Sequence, residues 1–312
     1  MDQHRLKDDT IRPLAQTPTE PTSRSGRPTR PLRAVSIALP IAQLARPRPV
    51  HLSLLSQHAQ VTNLITTAGG VVAIVSETVG AGPFNIVVPS WNAAAMPCDA
   101  CGGGCLDANR LLIGPWVIDL EQAVVWNPSP DWAVIGRSPM LAVHENQLRA
   151  WFRRQKPYGE AYLDQATAAA LRRTTRQIVT ACTWLNLQQG LAGLIGLGPG
   201  LTPLGDDWLA GWLLHQHLVD HAAPIANLPG HRPIDMITAF VGEHAAVRTT
   251  RLSQSWLRAA AAGWTDETWR QLLIALSHGP PDAVTRIGQR ILAHGATSGY
   301  ALLAGFLQET LS

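Results

Sequence analysis

The chain changes its hydrophobic period once, near Met140, and that change restricts it to folds in which a sheet precedes a helical half. Between 45 and 137 the apolar residues come in short β-branched runs, VTNLITT, GGVVAIVSE, FNIVVPSW, LLIGPWVIDL, QAVVWN and DWAVIG, broken by Gly, Pro and Asn. Short runs with that punctuation predict strands joined by turns, here an antiparallel sheet or small barrel. After Met140 the segments HENQLRAWFRRQ, AYLDQATAAALRRTTRQIVTACTWLNLQQ, DDWLAGWLLHQHLVD, RLSQSWLRAAAAG, DETWRQLLIALSHG, DAVTRIGQRILAHG and SGYALLAGFLQETL space their apolar residues by three and four. That spacing predicts helices, with Gly263, Gly279 and Gly295 ending three of them.

The expected class is therefore α+β: a tail over 1–33, a β-rich domain over 34–140 and a mainly helical domain over 141–312. The tail is polar, Pro-rich and aperiodic, a composition that cannot offset the entropy of ordering. It also carries the charge. Seven of the 25 basic residues and four of the 22 acidic ones fall there, so the rest of the chain is neutral. Nucleic-acid binders concentrate positive charge on a folded face, and no such excess exists, so nucleic acid is excluded as a partner.

Lysine occurs twice, at Lys7 and Lys156, the first in the tail and the second in the turn-like RRQKPYG. Neither has the surroundings of a Schiff-base or P-loop lysine, so both classes are set aside, and neither a nucleotide nor pyridoxal phosphate is expected. No window approaches the roughly 20 apolar residues of a membrane span. AVSIALPIAQLA at 34–45 is a poor imitation of a signal peptide, following too long a Pro-rich leader, and the chain is expected to be cytoplasmic and off the membrane.

The sharpest motif is Gly196-Leu-Gly198-Pro-Gly200-Leu-Thr202-Pro203-Leu204-Gly205-Asp206-Asp207, leading into WLAGWLLHQHL. Thr202 suits an N-cap and Pro203 the first helical position, so the glycines form a loop feeding a helix start. Backbone N–H groups in such a loop can hold phosphate or carboxylate without lysine. The spacing excludes the dinucleotide fingerprint, which needs G-x-G-x-x-G after a strand. The plainer alternative is a tight interhelical turn in which Asp206 and Asp207 complement the helix dipole.

GLGPGLTPLGDDWLAG resembles the signature of a bacterial family that includes a subunit of oxamate carbamoyltransferase from anaerobic allantoin degradation. Thr249-Thr250-Arg251-Leu252-Ser253 and Gly295-Ala296-Thr297-Ser298-Gly299 resemble the same family; GAGPFNIVV and AVVWNPSP fit it less closely, over an expected 45–310. Leu204 departs from the pattern, standing where the family usually shows serine. The resemblance implies purine-nitrogen or carbamoyl metabolism within a multi-subunit enzyme. On that reading Gly196, Gly198, Gly200, Thr202, Gly205, Arg251 and Ser253, with Thr297 and Ser298, bind a small anionic substrate, while Asp206 or Asp207 positions the acceptor nitrogen or takes its proton. The first function is a carbamoyltransferase-like subunit using carbamoyl phosphate with a small amide or amino-acid-like acceptor. The second is a non-catalytic partner that binds a small anion or completes another subunit's site.

Three of the four cysteines, Cys98, Cys101 and Cys105, share a Gly-rich stretch whose spacing approaches that of a zinc or iron–sulfur site. No nearby His supplies a fourth ligand, Asp99 and Asp107 being the local substitutes, so no metal is expected there. Cys182 is expected to be buried in a helix. His215, His217 and His221 share one helix, and the last two have metal-ligand spacing, but without a placed Glu they are expected to face solvent near its end. The 11 tryptophans are expected to pack in cores.

Overall fold

A computed structural model describes residues 32–46, 48–93, 103–155, 163–222, 234–295 and 297–311. Residues 1–31 of the expected tail, and Cys98 and Cys101, lie outside these. Among the described residues the first half holds β1 (Leu32–Arg33), β2 (Ser36–Ala38), α1 (Leu39–Ala45), β3 (Val50–His58), β4 (Val61–Thr66), β5 (Val71–Val75), β6 (Asn85–Val87), β7 (Gly104–Leu106), β8 (Arg110–Ile113), β9 (Trp116–Asp119) and β10 (Val124–Trp126). The strands form one curled sheet in the order β1-β9-β8-β7-β3-β4-β5-β6-β2-β10.

The sheet is mixed, which corrects the antiparallel expectation. The run from β9 to β5 is antiparallel, but β1 pairs with β9, β2 with β10 and β5 with β6 in parallel. Strands β1 and β2 come first in the chain yet lie beside β9 and β10, made much later. Strand β5, VVAIV, is buried along its whole length. Val72 and Ile74 join Leu64, Ile86, Ile113 and Ile118 in the sheet's own core, while Val71 and Ala73 face the opposite way. An uninterrupted apolar run needs cover on both faces, and here the helices supply the second.

The helices are α2 (Trp132–Gly136), α3 (Leu141–Phe152), α4 (Gln165–Val179), α5 (Trp184–Leu194), α6 (Leu204–Ala222), α7 (Ile234–Arg248), α8 (Arg251–Ala261), α9 (Glu267–His278), α10 (Pro281–Leu292) and α11 (Ser298–Phe306). DWAVIG is helix α2, not a strand: the Asp131 carboxylate caps it by accepting the Val134 N–H at 3.0 Å. The segment 163–189 holds two helices. It breaks after Val179, and Thr183 starts α5 by accepting the Asn186 N–H at 3.2 Å. Helix α6 is buried on almost every side and forms the helical core with Trp208, Leu209 and Leu213. It meets α11 at backbone distance, since a Cβ on Gly211 would strike the Leu302 carbonyl and one on Gly305 the Trp208 carbonyl. Sheet and helices share a seam in which Val71, Phe84 and Ala259 pack with Leu252, Trp256 and Trp264.

Candidate functional site

The glycine segment is the corner between α5 and α6. The Leu197 N–H returns to the Leu194 carbonyl at 3.0 Å, and the Gly205 N–H to that of Leu197 at 2.9 Å. The Pro203 carbonyl accepts the N–H groups of Asp206 and Asp207 at 2.9 and 3.1 Å. Pro203 is therefore the N-cap and Leu204 the first helical residue, one position later than the sequence predicts. Gly196, Gly198 and Gly200 all take positive φ, and a Cβ on Gly196 would collide with the Arg248 carbonyl. Glycine is required there on both counts.

The two aspartates, expected as an equivalent pair, serve different ends. Asp206 is 1% exposed and its carboxylate is fully engaged. Oδ1 accepts the Gly196 N–H at 2.8 Å, and Oδ2 accepts the Ser253 hydroxyl at 2.7 Å and that of Thr249. Asp206 thus braces the glycine loop against the α7–α8 corner, where Thr250 caps α8 by accepting the Ser253 N–H at 3.1 Å. The loop already binds a carboxylate, its own.

Asp207 is 8% exposed, and its Oδ2 is buried with no hydrogen-bond partner among the described residues. Burial pushes its carboxyl up to about 7; the neighbouring Asp206 charge acts in the same direction, and hydrogen bonds from Ser298 and Thr202 oppose it. The hydroxyl oxygens of Thr202 and Ser298 lie 3.3 Å apart. The motif at 196–207 and the turn before α11 therefore meet at one carboxyl group. Thr297, next to Ser298, precedes α11 without a side-chain capping bond.

Asp207 lines a cavity of about 310 Å³ between the sheet and the helices. The sheet side is Val71, Ala73 and Val75 with Phe84; the helical side includes Trp256 and Trp264. Asp206, Ser253, Thr202 and Ser298 lie on its wall, as does Asp266. Asp266 caps α9 by accepting the Trp269 N–H at 2.8 Å, and burial pushes its carboxyl up as well. The lining among the described residues contains no Lys or Arg. Arg251 lies elsewhere: it is exposed at the start of α8, 3.3 Å from the Gln254 side-chain oxygen, with its guanidinium near Gly69.

The histidines of α6 do not face solvent. His215 and His217 are buried, His217 stacks on Trp132 at 5.2 Å and bonds the Ala261 carbonyl at 3.0 Å, and half-buried His221 bonds the His217 carbonyl at 2.8 Å. Cys182 is exposed in the break between α4 and α5. Cys105 is half-buried in β7, and no cluster of three potential metal ligands occurs among the described residues. No described helix is long and apolar enough to cross a membrane.

The segment that builds this corner also decides the comparison with known families. Residues 194–310 match the family described as oxamate carbamoyltransferase subunit AllH. The AllH match supports the resemblance carried by the Gly196–Asp207 signature, and it takes in Thr249–Ser253 and Thr297–Ser298. It begins at the end of α5, so it is narrower than the expected 45–310 and leaves out the sheet that closes the cavity. No curated protein and no solved structure matches the chain.

The sequence did not single out Thr249 as a ligand of Asp206, Asp266 as a further acid on the cavity wall, or the sheet residues facing them. The Thr-Thr-Arg-Leu-Ser motif held the signal for the first. Nothing local marks the other two, because the cavity joins strands and helices far apart in the chain.

Proposed function

We propose that the chain is a subunit of a carbamoyltransferase complex and that its cavity presents an acceptor nitrogen to the carbamoyl group of carbamoyl phosphate. The observation that carries this reading is Asp207: a buried carboxyl poised near neutrality, with an unpartnered oxygen, on the wall of a cavity. Such a group is matched to accepting a proton from an amide or amine nitrogen at physiological pH. As the acceptor nitrogen bonds to the carbamoyl carbon, the bond from that carbon to the phosphate oxygen breaks. The bonding pair leaves with phosphate, and the nitrogen's proton passes to Asp207. Thr202 and Ser298 orient Asp207 by hydrogen bonding, and Asp206 acts as a positioning residue by fixing the loop.

The departing phosphate needs cationic or N–H donors, and a cavity wall with three aspartates and no guanidinium repels a dianion. Gly200, whose missing Cβ would meet nothing within 4 Å, leaves the loop backbone approachable and is this chain's own proposed contact for phosphate. The charge that stabilises phosphate comes in this reading from a partner subunit, which the family's description as a subunit also supports.

The test is co-purification of the native protein with its partners, followed by assay with carbamoyl phosphate. The complex is expected to release phosphate in step with carbamoylated product, and the isolated chain to be inert. A complex that performs no carbamoyl transfer overturns the reading.

A further inference from the structure

The sheet wall of the cavity is not wholly apolar. Asn63 pairs in register with Ala73, and Ala73 with Asn85, so these three side chains form one row across β4, β5 and β6. Residues in register point to the same face of a sheet, and all three line the cavity. Both amides are buried. Asn63 donates to the Ser56 hydroxyl at 2.9 Å and Asn85 to the Gly80 carbonyl at 2.9 Å. A carboxamide has two N–H donors and an acceptor oxygen, so these bonds leave each amide a donor and an acceptor.

The Asn85 end of the row meets the start of α9. Asn85 holds the loop at Gly80, and the next residue, Ala81, accepts the Glu267 N–H at 2.9 Å. Asp266, beside Glu267, is pushed up by burial, and the charge of His294 opposes that push. His294 lines the cavity but is exposed, so it stands at the mouth, and it is the one basic side chain on the wall among the described residues. It also begins the turn that reaches Asp207: the Gly299 N–H returns to the His294 carbonyl at 3.0 Å, and Ser298 hydrogen-bonds Asp207.

The cavity therefore has two unlike polar ends. Asp207 presents a buried oxygen without a donor, which calls for a ligand N–H. His294 and Asn85 present donors, which call for an acceptor oxygen. An imidazole and a carboxamide N–H can hold a single carboxylate through charge-assisted hydrogen bonds. Burial holds Asp266 towards its neutral form, so it repels an incoming carboxylate less than an exposed acid would.

We propose that His294 and Asn85 are specificity-determining residues, which take the carboxylate of a small acid amide whose N–H end lies at Asp207. Asn85 belongs to the sheet, outside the 194–310 match, so both halves of the chain set the selectivity. The inference rests on the carbamoyltransferase reading only for the fate of the ligand as acceptor; binding is measured apart from transfer.

The experiment titrates the full chain by calorimetry at pH 7 with three probes of similar size. Oxamate joins a primary amide directly to a carboxylate; methyl oxamate lacks the charge; pyruvate has a methyl group in place of the amide nitrogen. Oxamate is expected to bind about tenfold or more tightly than either, the loss of one charged or buried hydrogen bond. His294→Gln is expected to bring oxamate and methyl oxamate within about threefold of each other while the preference for oxamate over pyruvate survives. Asn85→Ala is expected to weaken oxamate by about fivefold or more. His294 is exposed, so its substitution is expected to leave the melt unchanged; if Asn85→Ala does not fold, His294→Gln decides alone. Methyl oxamate bound as tightly as oxamate overturns the proposal, as does an oxamate affinity that His294→Gln leaves unchanged, or no binding of oxamate at all. Oxamate bound with this ranking, but no carbamoyl transfer by the native complex, supports the two residues and removes the transfer reading. Transfer to oxamate whose KM is unchanged by His294→Gln overturns their role and leaves the transfer reading standing.

Discussion

The Asp206 carboxylate accepts the Ser253 hydroxyl at 2.7 Å across the contact of α6 with α8, while Asp207, the next residue, keeps an oxygen without a partner. Successive helical residues point about 100° apart, so one acid turns into the brace between two helices and the other to the cavity wall. Helix geometry separates the pair: Asp206 ties the glycine loop to the α7–α8 corner, and Asp207 lies on the cavity wall.

Removing the brace is therefore expected to cost stability. Asp206→Ala leaves the Gly196 N–H and the hydroxyls of Thr249 and Ser253 without their acceptor, and each buried group left unpaired costs about 1–3 kcal/mol. A loss of roughly 3–5 kcal/mol is expected in urea unfolding at pH 7, with Ser253→Ala losing less because only one of the three bonds goes. An Asp206→Ala variant as stable as the wild type would show that the brace carries no load.

Asp207 makes stability depend on pH. It holds its proton to about pH 7 in the folded chain and releases it near 3.8 when unfolded. Between those values the folded state binds more protons, so stability is greatest at the acid end of the window and falls as pH rises through 7, by roughly 4 kcal/mol. Asp207→Asn is expected to match the wild type near pH 4 and to exceed it at pH 8, as measured by urea unfolding at both values. Asp266, raised in the same direction, keeps part of the slope in the variant.

The glycines of the loop should not be equivalent. Gly196→Ala meets both a φ of 78° and the Arg248 carbonyl, whereas Gly200→Ala meets only a φ of 99°. The backbone conformation alone costs about 1–2 kcal/mol, and the collision adds to that for Gly196. Thermal melts are expected to rank Gly196→Ala well below Gly200→Ala.

Arg251→Lys is expected to leave unfolding stability within about 0.5 kcal/mol of wild type, because the guanidinium is exposed and does not line the cavity. Calorimetry on the variant checks this directly.

The sequence was most legible where local chemistry decides the outcome. The strand VVAIV, the helix ends at Gly263 and Gly279, and the glycine corner all rest on residues within a few positions of one another. It was least legible where distant packing decides. DWAVIG reads as a strand by composition but becomes α2 through its Asp131 cap and the approach of Gly136 to the backbone of α6 at Leu218 and His221. Helix α7 escapes a periodicity argument because its apolar residues scatter around the axis: Ile237, Val241 and Ala245 are buried, while Met236 and Val247 are exposed. The aspartate pair was visible as a pair, but its division into brace and cavity acid depends on Thr249 and Ser253 approaching from the α7–α8 corner.

The most direct test of the account is the pH–rate profile of carbamoyl transfer by the native complex, containing either the wild-type chain or Asp207→Asn. With the wild type, kcat/KM is expected to rise through an inflection near pH 7, the value to which burial pushes Asp207. In the Asn variant the rate is expected to fall by about 100-fold or more and the inflection to disappear. An Asn variant that retains both the rate and the inflection would contradict the assignment of Asp207 as the group that takes the acceptor's proton.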